Sequence, residues 1–208
     1  MDRDIILPAL TNRNAPKIDE HDILNAAVGL RVSEAHVRAV MRVETGGRRS
    51  FGPEGRPVIL PEPHIFSRLT KRQFDASHPT ISYRTWGKRP YPKTQAERYD
   101  MLVRMADLSF DNAFASASWG LFQIMGFHAK DLGYVAPWDF ARAMARSEAN
   151  HLDAFVRFIR VNRLDDELRA CRPNDPKSCE AFAAGYNGRG FRTNRYHQKL
   201  AKALGEFQ

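Results

Sequence analysis

The sequence is poor in several features that would otherwise define its class. It has two cysteines in 208 residues, too few for a fold built on disulfides. It contains no run of about 18 apolar residues, the least that crosses a bilayer as a helix. It shows no internal repeat and no low-complexity block, which leaves ordinary single-domain organisation. The first residues, Met1-Asp2-Arg3-Asp4-Ile5-Ile6-Leu7-Pro8, hold acids and a proline. A secretory leader has a basic start and an apolar stretch of about 7–15 residues there, so no signal peptide is expected. The seven histidines include no His-Glu-x-x-His pair. Glu148-Ala149-Asn150-His151 is a lone Glu-x-x-His, whereas a di-iron bundle needs two such motifs and two further acids. Gly-x-x-x-x-Gly-Lys and Gly-x-Ser-x-Gly are also missing, which removes the commonest phosphate cradle and serine-hydrolase signals. No metal and no cofactor are expected.

What is present describes a compact, basic protein. With 43% hydrophobic and 11% aromatic residues, the chain can offset its ordering entropy. A chain of this size buries roughly 70% of its unfolded surface. The net charge is +8, from 32 basic and 24 acidic side chains, and it favours a polyanionic partner. Nucleic acid, anionic lipid and bacterial wall all meet that description. Lys and Arg are scattered and interleaved with acids, unlike the basic stripe of a nucleic-acid binder, so no nucleic-acid partner is expected.

Periodicity predicts a mainly α fold with a minor β element. Residues 1–18, with Pro8 and Pro16, read as an extended lead-in to a single domain over 19–208. A helix is predicted from Asp19, as N-cap, to Gly29, as its stop. A second follows Ser33 and ends at Gly46-Gly47. The turn cluster Gly52-Pro53-Glu54-Gly55 and the β-like run Arg56–Leu60 predict a small hairpin lobe. A helix should then run from Pro63 to about Gln73, followed by a long surface loop over residues 75–93. Thr94-Gln95-Ala96-Glu97 is a capping box, and Tyr99, Leu102, Val103 and Ala106 form the stripe of the helix behind it. A short helix is predicted near Asp111–Ala117, one capped by Ser118, and one opened by Pro137. Leu152, Phe155, Val156 and Ile159 mark another. Final helices fall near Leu164–Ala170, Ser178–Gly185 and His197–Leu204.

Among these elements Glu44 stands out. It follows Val37, Val40 and Met41 at the i, i+3, i+4, i+7 spacing, on the stripe that should face the core. It also lies in the last turn, where the helix dipole disfavours an anion. Burial and dipole both raise a carboxyl pKa, and a carboxylic acid kept protonated near neutral pH is what cleaves glycosidic bonds. A glutamate at a frayed helix end, turned to solvent beside Arg42 and Arg48, would fit the same spacing.

Three further segments bear on that choice. Glu44-Thr45-Gly46-Gly47 resembles the Glu-Ser-Gly-Gly signature at the catalytic acid of goose-type lysozymes and soluble lytic transglycosylases. Gly120-Leu121-Phe122-Gln123-Ile124-Met125 resembles their Gly-Leu-Met-Gln-Ile segment, and Ala184-Gly185-Tyr186-Asn187-Gly188 their Ala-x-Tyr-Asn-Ala-Gly segment. From about Asp19 to the C-terminus the chain is similar to the N-acetylmuramidase domain of phage endolysins. Gly55–Leu60, His64–Thr70, Phe74–Pro79 and Ser116–Gly126 all match in register. The resemblance implies a lysozyme-like α+β fold and cleavage of the β-1,4 bond between N-acetylmuramic acid and N-acetylglucosamine in peptidoglycan. It makes Glu44 the general acid.

A second carboxylate is usual in this chemistry, as nucleophile or as base for water. Glu62 is the first choice, since it shares the parity of Val58 and Leu60 on the β run. Asp75 and Asp111 are weaker alternatives. The family usually reads Phe-Glu-Arg-His at this point; here Pro61-Glu62-Pro63-His64 carries two prolines. Gln123, Tyr186 and Asn187 are expected to line the sugar cleft, amides and a phenol suiting N-acetyl and hydroxyl groups. For Gln123 the competing role is a buried amide that ties its own element to a neighbour; for Tyr186 it is a core ring.

Cys171 and Cys179 flank a turn where the family has a shorter, cysteine-free link, and a bridge between them is expected. The expected setting is a monomer made in a bacterial host cytoplasm and acting at the periplasm and cell wall, with peripheral contact to the envelope. A lytic transglycosylase, a secreted antibacterial effector and a silent wall-binding module are the alternatives.

Overall fold

The computed structural model describes residues 3–46 and 49–208. Its elements, in chain order, begin with α1 (Arg3–Ala9), α2 (Glu20–Leu30), α3 (Glu34–Thr45), β1 (Ile59–Pro61) and α4 (Pro63–Leu69). They continue with α5 (Gln95–Leu108), α6 (Phe110–Ala115), β2 (Ala117–Trp119), β3 (Ile124–Met125), α7 (Pro137–Met144) and α8 (Glu148–Val161). The chain closes with α9 (Asp165–Ala170), α10 (Glu180–Asn187) and α11 (Tyr196–Glu206). Helix dominates and the β content is one three-stranded antiparallel sheet, in line with the predicted α+β class. Backbone packing divides the chain into two compact units, Met1–Pro16 with Arg49–Glu148 and Lys17–Arg48 with Ala149–Gln208.

In the first unit the predicted capping box is present. The Thr94 side chain accepts from the Glu97 N–H at 3.2 Å, and Glu97 accepts from the Thr94 N–H at 2.9 Å. The stripe behind it, Tyr99, Leu102, Val103 and Ala106, is buried. The stretch expected as an extended lead-in instead begins with α1. Ile6 and Leu10, four apart and so on one helical face, are fully buried, and that burial outweighs the helix-breaking tendency of Pro8.

The β lobe differs from expectation in its partners. The turn cluster closes a single bridge, Phe51 to Pro57, while β1 pairs with a distant segment, Leu60 opposite Ser118. Ser118 does not cap a helix: β2 and β3 form a hairpin with Ser118 opposite Met125. Gly120 and Gln123 both take left-handed backbone, with φ of 68° and 49°, which reverses the chain and stops a helix from starting. The Trp119 ring stacks on Phe114 and its Nε1–H donates to the Phe114 carbonyl at 3.1 Å. Gly126 follows β3 where a side chain has no room, since a Cβ there would lie 2.0 Å from the Phe114 oxygen. Helix α4 stops at Leu69, short of Gln73, because Lys71 and Arg72 are both left-handed. The loop over residues 75–93 has no helix or strand, yet Ile81, Ser82 and Tyr83 at its middle are buried.

In the second unit Asp19 caps α2 by a reciprocal box with Asp22. Gly29 is not the stop. It lies inside the helix with the Arg160 guanidinium close against it, and Arg31 supplies the left-handed cap residue. Ser33 precedes α3 as predicted, but its hydroxyl bonds the His36 ring at 2.8 Å instead of the backbone. Gly46, at φ 50°, ends α3 and donates to the Arg42 carbonyl at 3.1 Å; Gly47 lies outside the described residues. The α8 stripe Leu152, Phe155, Val156 and Ile159 is buried. Cys171 and Cys179 are buried free thiols rather than the expected bridge, and the Cys171 Sγ–H donates to the Glu167 carbonyl at 3.4 Å.

Candidate active site

Glu44 is the penultimate residue of α3, and its register follows from Val37 and Val40, both fully buried. Burial pushes its carboxyl up to about 7, against the opposing pull of a hydrogen bond from Tyr196. That bond runs from the Tyr196 hydroxyl to Oε1 at 2.7 Å. At neutral pH such a group is divided between acid and carboxylate, the condition for donating a proton and taking it back. The solvent-facing alternative for this residue does not describe the observed environment.

Tyr186 and Asn187 end α10 in the same unit. The Tyr186 ring is stacked on Phe182 at 5.4 Å and lies against Phe155, Phe158 and Tyr196. It is a packed ring, as its structural alternative required, but its hydroxyl is buried with no hydrogen-bond partner among the described residues. Leaving a phenol hydroxyl in that state costs about 1–3 kcal/mol. Burial and then the Glu44 charge push its pKa well up, which keeps it a neutral donor. Tyr196 was not anticipated. Its signal in the sequence is the i, i+4, i+8 series Tyr196, Leu200 and Leu204, all buried.

In the first unit Glu62 leaves β1 and caps α4, held by its own N–H donating to the Ser116 carbonyl at 3.0 Å. Burial raises its pKa, partly offset by the Tyr91 hydroxyl that donates to it. The His64 Nδ1 lies 3.3 Å away, and burial, then the Arg68 charge, lowers the His64 pKa. A neutral ring therefore faces Glu62 near pH 7. Tyr91 was also not anticipated, because a side chain in an irregular loop carries no periodic signal.

Gln123 takes the tying role. Its Oε1 accepts from the Ser118 hydroxyl at 2.9 Å, and its amide N–H groups reach the Gly120 and Val58 carbonyls at 2.7 and 3.3 Å. These bonds fasten the hairpin turn to the chain entering β1. Burial acts to raise the pKa of Asp75, but the hydroxyls of Ser82 and Ser67 and the charges of Arg84 and Arg72 bring it below the ordinary value. It is an ionised structural acid, unsuited to proton donation. Asp111 is exposed in the first turn of α6. Among the described residues no group of three or more His, Cys, Asp or Glu is placed to hold a metal ion.

Helices with a small antiparallel sheet, and a buried carboxyl held near neutrality, define a lysozyme-like glycosidase. Residues 33–208 match the N-acetylmuramidase family profile, and the chain belongs to that family, as a glycoside hydrolase that degrades peptidoglycan. The crystal structure of the Burkholderia AP3 phage endolysin is similar, with a TM-score of 0.82 and 38% identity, over 94% of this chain and 72% of that one. Among proteins of curated function, none matches.

Proposed function

We propose that this chain is an endolysin in which Glu44 is the general acid for hydrolysis of the β-1,4 bond after N-acetylmuramic acid. The observation that carries this is the Glu44 carboxyl, held at about 7 by burial at the position of the family's acid motif. Protonation of the glycosidic oxygen by Glu44 lets the bond break through an oxocarbenium-like transition state. Water completes the reaction, and Glu62 supplies the second carboxylate that activates it or stabilises the developing cation. Asn187 binds the sugar, Tyr186 acts from its packed position beside Tyr196, and Gln123 acts by holding the hairpin. The family match over residues 33–208 supports reading residues 19–208 as one catalytic domain. The similarity to a phage endolysin supports action at the cell wall; a monomer in peripheral contact with the envelope is the setting proposed with it.

The test is lysis of purified peptidoglycan by wild type and Glu44→Gln, with mass spectrometry of the fragments and circular dichroism to confirm folding. Glu44→Gln should lose at least about a hundredfold in rate, the contribution expected of a positioned acid, and wild-type fragments should end in reducing muramic acid. Full activity in Glu44→Gln overturns the acid assignment. Fragments ending in 1,6-anhydro sugar would show transglycosylation in place of hydrolysis.

A further inference from the structure

A cavity of about 580 Å³ in the first unit is walled by α4, the turn after it and the loop residue Arg84. That volume is typical of a small-ligand site. Four of the wall residues are cationic: Arg68, Lys71, Arg72 and Arg84. Acids nearby neutralise little of this charge. Arg84 lies 3.9 Å from Asp75, Arg72 acts on the same carboxyl, and among the described residues no other acid is ion-paired with the four. Arg68 lies over the Phe127 ring at 5.9 Å, which positions its guanidinium without cancelling its charge.

The backbone displays these side chains from a constrained turn. Lys71 and Arg72 are consecutive left-handed residues, with φ of 53° and 68°, a conformation unfavourable for either. It is held by N–H bonds from Lys71 to the Arg68 carbonyl at 3.2 Å and from Arg72 to the Ser67 carbonyl at 2.6 Å. The cavity also adjoins the proposed chemistry. His64 is a wall residue, and its Nδ1 is 3.3 Å from the Glu62 carboxyl.

We propose that this cavity is a subsite for the carboxylates of the peptide stem that N-acetylmuramic acid carries in peptidoglycan. The inference rests on the reading of Glu62 as part of the glycan site. A muramic acid bound beside Glu62 bears its stem through the lactyl group, so an anionic peptide must leave the site close by. The glycan itself offers the four cations nothing to neutralise, whereas the free carboxylates of glutamate and diaminopimelate do. Guanidinium groups bind such carboxylates by paired N–H bonds. Arg68 and Lys71 are the main contacts, and Arg72 and Arg84 complete the field. A concave site suits a chain of a few residues better than the flat array of a lipid surface.

Two measurements test this on the full chain. The first is isothermal titration of the synthetic tetrapeptide L-Ala-γ-D-Glu-diaminopimelate-D-Ala into wild type and Arg68→Gln/Lys71→Gln. Affinity should fall about tenfold or more in the variant, as for loss of charge-assisted contacts, while the melting temperature is kept and Lys71→Arg retains binding. The second compares cleavage of intact sacculi with cleavage of the same glycan stripped of stems by an amidase. The double variant should show a raised KM with unchanged kcat on intact sacculi, and wild-type behaviour on stripped glycan. Equal peptide binding by the two proteins, no binding by wild type, or equal loss on both substrates would overturn the proposal. So would a double variant that loses binding only to vesicles of phosphatidylcholine and phosphatidylglycerol in equal parts. Peptide binding that is lost in the variant, with neither substrate cleaved by wild type, would retain the subsite and reject the muramidase reading.

Discussion

At the scale of single residues, Glu44 couples chemistry to stability. Its carboxyl has an ordinary pKa of 4.5 and one of about 7 in the fold, so the folded protein holds the proton more tightly. The stability this provides is complete below pH 4.5 and is lost as pH rises through 7. Glu44→Gln should therefore be more stable than wild type above pH 7, by on the order of 3 kcal/mol, and nearly equal to it at pH 4. Denaturant titrations at the two pH values check this. With Glu44 as the proposed general acid, kcat/KM for wall hydrolysis should decline with an apparent pKa of about 7 on the alkaline side. Because the Tyr196 hydroxyl lowers the Glu44 pKa, Tyr196→Phe should shift that limb to higher pH. An unmoved limb would mean that another group controls it.

At the scale of elements, the lobe bearing Glu62 depends on close backbone contacts. The hairpin of β2 and β3 is followed at once by Gly126, where the Phe114 carbonyl leaves no space for a methyl group. Gly126→Ala must displace backbone rather than a flexible side chain, so it should cost about 3 kcal/mol or more, read from the urea midpoint. The loop over residues 75–93 reaches Glu62 through the Tyr91 hydroxyl, an arrangement invisible to periodicity. By contrast, the N-cap at Asp19 and the capping box at Thr94 are local in sequence, and both form where they are expected. The α5 and α8 stripes were legible for the same reason, since residues three and four apart must share a face.

At the scale of the whole molecule, charge governs encounter with the wall. The chain carries a net +8, and peptidoglycan preparations bearing anionic polymers attract it over about 8 Å at physiological salt. Lysis rates at sub-saturating substrate should fall as sodium chloride is raised, with kcat held. Sedimentation equilibrium should return a mass near 23.7 kDa, as expected of a monomer, and a doubled mass would reject that expectation. The longest apolar helices fall well short of a bilayer, and among the described residues no helix is long and apolar enough to cross one.

The sequence by itself determined the helical class, the caps at Asp19, Thr94 and Gly46, and the position of Glu44 on a buried stripe, because each follows from contacts within about two turns of chain. Its resemblance to muramidases carried the reaction. The tertiary structure alone decided which distant partners these residues meet. Pairing of β1 with β2 spans some 60 residues, and the donors to Glu44 and Glu62 come from Tyr196 and Tyr91. It likewise converted the segment after Ser116 from a predicted helix to a hairpin, where long-range strand pairing and two left-handed residues outweigh local preference. The raised pKa of Glu44 belongs to both levels: spacing aims the side chain inward, and the packing around it removes the water that would keep it an ordinary carboxylate.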